Sequence, residues 1–127
     1  MNIPSIKKHI VSGLSFGVSK EEMKGNALYI LASAGVIMGT LIDEIDYTDK
    51  IDSTNFLPHA TRALVDSYRK EYSLEDVKFG GNDGYLILKD VTVVQGANKF
   101  NFGNLIVFFD QIIAVTLGSA NELIKSM

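Results

Sequence analysis

Apolar residues recur at intervals of three and four near the start of the chain. Four of them follow this spacing: Ile3, Ile6, Ile10 and Leu14. This is the period of an amphipathic helix, and Lys7 and Lys8 lie off the apolar stripe. Pro4 suits a first helical turn, because its missing N–H is unpaired there in any case. The pattern predicts a helix over residues 3–14 that ends near Gly13 or Gly17.

Two short apolar runs follow, separated by small residues. They are Ala27–Leu31 and Val36–Ile42. Their β-branched content and the small-residue break predict a β-hairpin. Helix is the competing interpretation, since Ala, Leu and Met also favour helices. Gly35 and Gly39 interrupt the run and favour strands.

An acidic segment and a second helix occupy the middle of the chain. Residues 43–55 carry five carboxylates: Asp43, Glu44, Asp46, Asp49 and Asp52. Their spacing is not that of an EF-hand, so we interpret the segment as a solvated loop. Pro58–Tyr72 then predicts a helix with one apolar stripe. The stripe contains Leu64, Val65, Tyr68 and Tyr72.

Three consecutive strands are predicted in the last third of the chain. Tyr85–Val94 is the clearest of them, and it follows the glycine-rich turn of residues 80–83. Leu105–Phe109 is apolar at every position, which predicts that both of its faces are covered. Asp110 and Gln111 break the chain before a last strand, Ile112–Leu117. Ser119 suits the cap of a short terminal helix containing Leu123 and Ile124.

Composition indicates a soluble globular domain. The chain has 127 residues, of which 46% are hydrophobic, and its net charge is −3. Proteins that grip nucleic acid through phosphates usually concentrate positive charge, and here only Lys7-Lys8-His9 forms a local basic cluster. The absence of cysteine excludes disulfides, thiolate catalysis and cysteine-ligated metals. We find no pattern of a signal peptide or a membrane span, and expect a cytoplasmic protein.

The polar residues do not form a catalytic pattern. His9 and His59 are the only histidines, and neither has the spacing of a metal or nucleophile site. The glycine-rich residues 80–84 lack the lysine of a phosphate-binding loop and precede a strand. Asp90 and Asp110 are interpreted as turn carboxylates. We therefore expect no enzymatic activity, no cofactor and no metal.

Two segments resemble the motifs of the Sm-like proteins. Asp83–Val91 resembles the end of the Sm1 motif, and Gly103–Ile112 resembles the Sm2 motif of a glycine, an apolar strand, a tight turn and a second apolar strand. Residues 27–41 resemble the first two strands of that family. The resemblance implies an Sm-like five-stranded, strongly bent antiparallel barrel with an N-terminal helix. Residues 1–127 would form one domain, with a helical insertion at about 45–82 between strands two and three.

The same resemblance implies candidate contact residues for RNA or a central pore. Sm proteins contact RNA bases through an Asn in Sm1 and an Arg-Gly pair in Sm2. Tyr85 stands at the first position here, and Phe108 and Phe109 stand at the second. Aromatic rings can stack bases, although the guanidinium is lost. Lys89 completes this candidate set.

Sm-like proteins also assemble by pairing strand four of one copy with strand five of the next. The resemblance therefore implies a homo-oligomeric ring of about five to seven copies. Six apolar residues are expected at the subunit interface: Leu105, Ile106, Val107, Ile112, Ile113 and Val115.

Three functions stay open from the sequence. The first is a structural or protein-interaction ring whose insertion presents a binding face to an unknown protein partner. The second is a non-standard RNA-binding ring. The third is a roadblock-like or longin-like α/β scaffold, which would be a monomer or dimer and would pack the helix of residues 58–72 flat across one sheet.

Overall fold

The described part of the chain forms two α-helices and five strands. The computed structural model describes residues 3–43, 45–46 and 48–119. The elements, in chain order, are α1 (Ile6–Val18), β1 (Asn26–Ala32), β2 (Gly35–Leu41), α2 (Phe56–Glu71), β3 (Tyr85–Gln95), β4 (Asn98–Phe108) and β5 (Ile112–Ser119). Single 3-10 turns at Glu21–Met23 and Phe109–Gln111 precede β1 and β5. The predicted terminal helix with Leu123 and Ile124 lies outside the described residues.

All five strands belong to one antiparallel sheet of order β4-β3-β2-β1-β5. This sheet, with a helix before β1 and another between β2 and β3, has the order of elements that the sequence predicts. Bulges interrupt the register at Leu31/Ala32 and at Met38/Thr40, and bulges bend a strand and increase its twist. A Cβ on Gly39 would lie 3.1 Å from Val91 Cγ2, so glycine lets β2 approach β3 closely beside the second bulge.

The predicted hairpin is confirmed by β1 and β2. Ala32 pairs with Gly35 at the turn, and Gly35 has a φ of 144°. A Cβ at that position would lie 2.3 Å from the Val94 carbonyl oxygen of β3. Only glycine can adopt this φ and also lie so close to the Val94 carbonyl. A specific steric requirement at Gly35 therefore explains why residues 26–41 form a hairpin.

One hydrophobic core joins α1 to the sheet. It contains buried residues from the helix, the turn before β5 and every strand: Val11, Val18, Leu28, Ile30, Ile37, Leu86, Leu88, Val91, Val93, Val107, Phe109 and Ile112. The helix packs against β1, β2 and β5. Burial of these side chains supplies the main driving force for folding.

The first helix is confirmed, but the predicted buried stripe is wrong. The buried residues of α1 are Val11, Ser15 and Val18, whereas Ile6 is 78% exposed and Ile3, Ile10 and Leu14 also face outward. The helix starts after Ser5, whose hydroxyl caps it by accepting from the Lys8 N–H at 3.0 Å. Both sides of this helix carry apolar residues, and tertiary packing selects the side with the small Ser15.

The second helix is confirmed with bounds two residues earlier than predicted at its start. It buries only Pro58 and Thr61, and Leu64 on its apolar stripe is 71% exposed. The roadblock-like or longin-like alternative requires this helix to lie flat across the sheet. The exposure of its apolar stripe shows that it does not. In the described part of the chain, no helix is long and apolar enough to cross a membrane.

Candidate functional site

The two ends of the sheet are exposed edge strands. Within the described residues, β4 and β5 each pair with a neighbour on one side only. Large apolar side chains are exposed on both strands: Phe100, Phe102 and Phe108 on β4, and Ile113 and Leu117 on β5. An edge strand presents unpaired N–H and C=O groups to any strand that can add to it. Exposed apolar side chains beside these groups favour such addition.

The six residues predicted at the subunit interface take different positions in the single chain. Val107 and Ile112 are buried in the core, and Leu105 and Val115 pack against it. Ile106 lies on the opposite face of β4 from Val107 and is half-buried. Ile113 is 68% exposed, the largest value among them. These roles stay predictions, and Ile113 presents the most surface to a second copy.

The aromatic candidates separate at the end of β4. Tyr85 and Phe108 are cross-strand partners with ring centroids 6.4 Å apart and planes at 70°. Phe108 is 54% exposed, whereas Phe109 is 3% exposed and belongs to the core. The chain enters the 3-10 turn at Phe109, and its N–H donates to the Gly84 carbonyl at 3.2 Å. The structure thus brings Tyr85 and Phe108 together at the surface and turns Phe109 inward.

Lys89 lies away from the aromatic pair. It stands four residues beyond Tyr85 on β3, opposite Asn104. Here it lines a shallow pocket of about 690 Å³ between the insertion and the sheet, together with three carboxylates, Asp46, Asp49 and Asp90. The Asn104 amide donates to the Thr54 carbonyl at 3.0 Å and fixes the insertion loop beside this pocket. The surroundings of Lys89 are acidic, which disfavours a phosphate contact.

Carboxylates of the insertion are held in the ionised state. Hydrogen bonds from Thr48 lower the pKa of Asp46, and hydrogen bonds from Thr54 lower the pKa of Asp52. The basic cluster near the N-terminus is engaged within the fold, since Lys7 Nζ donates to the Ile112 carbonyl and Lys8 Nζ to the Phe79 carbonyl, both at 2.9 Å. These two lysines therefore hold backbone carbonyls of the same chain.

The carboxylates do not combine into a metal centre in the part of the chain that the structure describes. No group of three or more His, Asp or Glu side chains there lies close enough to hold an ion. Asp90 stands at the bulge of β3 with a φ of 53°, and Asp110 stands in the 3-10 turn before β5. Asp110 is therefore a turn residue, as predicted. Asp90 is not, because it lies inside β3 where the register with β2 shifts.

Sequence reasoning missed an apolar groove between α2 and the sheet. The groove has a volume of about 240 Å³. Its walls are Thr61, Leu64, Val65 and Tyr68 of α2, and Tyr85, Ile106 and Phe108 of β3 and β4. The sequence contains the two apolar stripes that form its walls, one with helical period on α2 and one with strand period on β4. Nothing in the sequence alone showed that they face each other.

Comparisons with known proteins find a likeness in structure but none in sequence. No family model matches the chain, and no curated protein matches it. Among solved structures, the chain is similar to a heptameric archaeal Sm protein, with 10% sequence identity. The match covers 82% of this chain and 94% of that chain, with a TM-score of 0.40.

Proposed function

We propose that this chain is one Sm-like domain and the subunit of a homo-oligomeric ring that serves as a structural and protein-interaction module. The observation that carries the proposal is the pair of exposed edge strands, β4 and β5, at opposite ends of one sheet. Pairing β4 of one copy with β5 of the next satisfies both edges at once. Such a head-to-tail contact closes into a ring of about five to seven copies when the rotation between copies allows it.

The ring would act in the cytoplasm through its surfaces rather than by catalysis. Its described residues include a stripe of exposed apolar side chains on α1, with Ile6 and Ile10, and the acidic segment that begins at Asp43. Exposed apolar patches of this kind are typical of protein-binding surfaces. We propose a protein partner, no cofactor and no enzymatic activity.

The first test is the absolute mass in solution, measured by light scattering on a sizing column. The ring predicts about five to seven times the chain mass of 13.9 kDa. A monomer or dimer at every concentration tested would overturn the ring. An assembly of the expected mass would then be probed with a cell extract to identify proteins retained by it.

An RNA-binding ring is the second candidate, favoured by the surface pair of Tyr85 and Phe108. Exposed aromatic rings can stack nucleic-acid bases. This function predicts a raised 260/280 absorbance ratio of the purified protein and tight binding of oligo(U) or oligo(A) at physiological salt. It also predicts weaker binding by Phe108→Ala. Absence of binding at that salt would exclude it, and tight binding would replace the protein-interaction proposal.

A further inference from the structure

The groove between α2 and the sheet accepts an apolar group. The seven described residues that line it are uncharged. The Thr61 hydroxyl donates to the Leu57 carbonyl of its own helix at 2.7 Å, so it needs no partner from the groove. Burying a charged or polar group there would cost free energy without a compensating hydrogen bond. An aliphatic or aromatic side chain is the chemistry that fits.

The walls of the groove do not close on each other. Leu64 on one wall and Phe108 on the other each expose more than half of their side chains. The volume of about 240 Å³ exceeds the roughly 150 Å³ of an apolar cavity that holds benzene. The groove therefore has room for a branched aliphatic side chain, and filling it would remove apolar surface on both walls from water.

One wall of the groove belongs to an edge strand. Ile106 and Phe108 lie on β4, whose outer edge is unpaired in the described part of the chain. A strand added to this edge lies roughly 4.8 Å away, and its side chains on the same face approach Ile106 and Phe108 to about 5 Å between Cβ atoms. Any subunit that pairs with β4 thus places a side chain at the mouth of the groove.

We infer that the groove is the socket for Ile113 of the neighbouring copy, an inference that rests on the proposed ring. Antiparallel addition, the commoner form of strand pairing, brings the start of β5 beside the end of β4. Ile113 is the second residue of β5 and its most exposed apolar side chain. The groove lies at the end of β4, at Ile106 and Phe108. α2 is then part of the subunit interface and clamps the incoming strand.

The absence of cysteine in the chain allows a direct test by engineered disulfides. One chain carries Leu64→Cys, and a second chain of different tag mass carries Ile113→Cys. The two are dissociated in mild denaturant, mixed, reassembled and oxidised. We expect a covalent heterodimer, read by mass spectrometry, which can form only between copies. Leu64→Cys mixed with Leu117→Cys is the matched control, because Leu117 is exposed on the same strand but lies at its other end.

The outcomes separate this inference from the ring itself. If light scattering shows an oligomer and the Leu64→Cys chain does not cross-link to the Ile113→Cys chain, the socket is overturned and the ring stands. Cross-linking to the Leu117→Cys chain in place of the Ile113→Cys chain also overturns the socket, since it requires the opposite strand direction. If every chain is monomeric, both proposals fail.

A charge in the groove gives a second readout that needs no oxidation. We expect Leu64→Lys to raise the concentration at which the oligomer dissociates by tenfold or more. The matched control is Ala63→Lys. Ala63 is exposed on the opposite side of α2 and does not line the groove. Equal dissociation of the two variants, with helical content retained in circular dichroism, contradicts the socket.

Discussion

Tyr85 and Phe108 are direct cross-strand partners, with ring centroids 6.4 Å apart. They join the start of β3 to the end of β4, where the insertion re-enters the sheet. Both rings also line the groove beneath α2. The pair therefore links three features of this molecule: the exposed β4 edge, the apolar groove and the return of the insertion. The next residue, Phe109, faces the core.

Phe108 and Phe109 are adjacent and chemically identical, but we expect their truncation to alanine to cost very different free energies of unfolding. Phe109→Ala should lower the free energy of unfolding by about 3–5 kcal/mol, because it opens a cavity in the core. Phe108→Ala removes an exposed ring and one aromatic pair, which is worth about 0.5–1.5 kcal/mol. Urea unfolding at a chain concentration low enough to keep the protein monomeric measures both, because assembly would otherwise add to the apparent stability. Equal losses would contradict the placement of the two rings.

A positive charge on the β4 edge should block assembly while leaving the fold intact. Phe100 lies on β4, opposite Val93 of β3, and is half-exposed. Charged residues on edge strands prevent strand addition, so Phe100→Lys should reduce the mass in solution to that of a monomer. Ile10→Lys is the control, since it places the same charge on an exposed apolar position of α1. Loss of assembly in both variants would argue against edge pairing.

The carboxylate of Asp43 stabilises the junction between α1 and β2 at neutral pH. The Ser19 hydroxyl donates to it at 2.8 Å and lowers its pKa below the ordinary value of 3.8, with a smaller contribution from Lys20 at 3.6 Å. A depressed folded-state pKa adds stability above the unfolded-state pKa, and this is lost as the pH falls through the folded-state value.

Asp43→Asn should accordingly be slightly less stable than the natural chain at pH 7, and the difference should vanish below the pKa of Asp43. Thermal unfolding at pH 7 and at low pH checks this expectation. In a Ser19→Ala background the pH dependence should shrink, because the main cause of the shift is gone. A difference that persists unchanged at low pH would assign the loss to packing rather than to charge.

Two glycines predict a contrast in tolerance to alanine. Gly35→Ala should cost more than about 2 kcal/mol, because it forces both a strained φ and a contact with the Val94 carbonyl. Gly103→Ala should be neutral or slightly stabilising, since nothing lies within 4 Å of a Cβ there. The free energies of unfolding of the two variants measure the contrast. A tolerated Gly35→Ala would contradict the close approach of β2 to β3.

The sequence predicted the strands better than the faces of the helices. Glycines such as Gly35 mark turns by a steric requirement that acts locally, so the hairpin could be identified from the chain alone. The face of α1 could not, because Ile6 and Ile10 compete with Val11 and Val18 for burial and only the sheet decides between them. Lys89 was predicted to contact RNA or a pore together with Tyr85, although four residues of strand separate the two by roughly 13 Å.

The groove shows a second limit of sequence reasoning. The stripe of α2 and the alternation of Ile106 with Phe108 each predict an apolar face. Whether two such faces meet depends on the path of the insertion, which the periods do not encode. Hydrogen bonds such as that from Asn104 to the Thr54 carbonyl fix this path.

The insertion is not a modular appendage that could be excised. Gly81 exchanges two backbone hydrogen bonds of 2.8 Å, with the Ile3 carbonyl and the Ser5 N–H, and Asn82 accepts from the Ser5 hydroxyl across a separation of 77 residues. Together with the contact from Lys8 to the Phe79 carbonyl, these bonds anchor the start of α1. Shortening the chain between β2 and β3 to a tight loop would remove these hydrogen bonds. The helix α1, which covers the core, would then lose its attachment at its N-terminal end. A change in the length or path of the insertion therefore also changes the contacts that position the N-terminal helix.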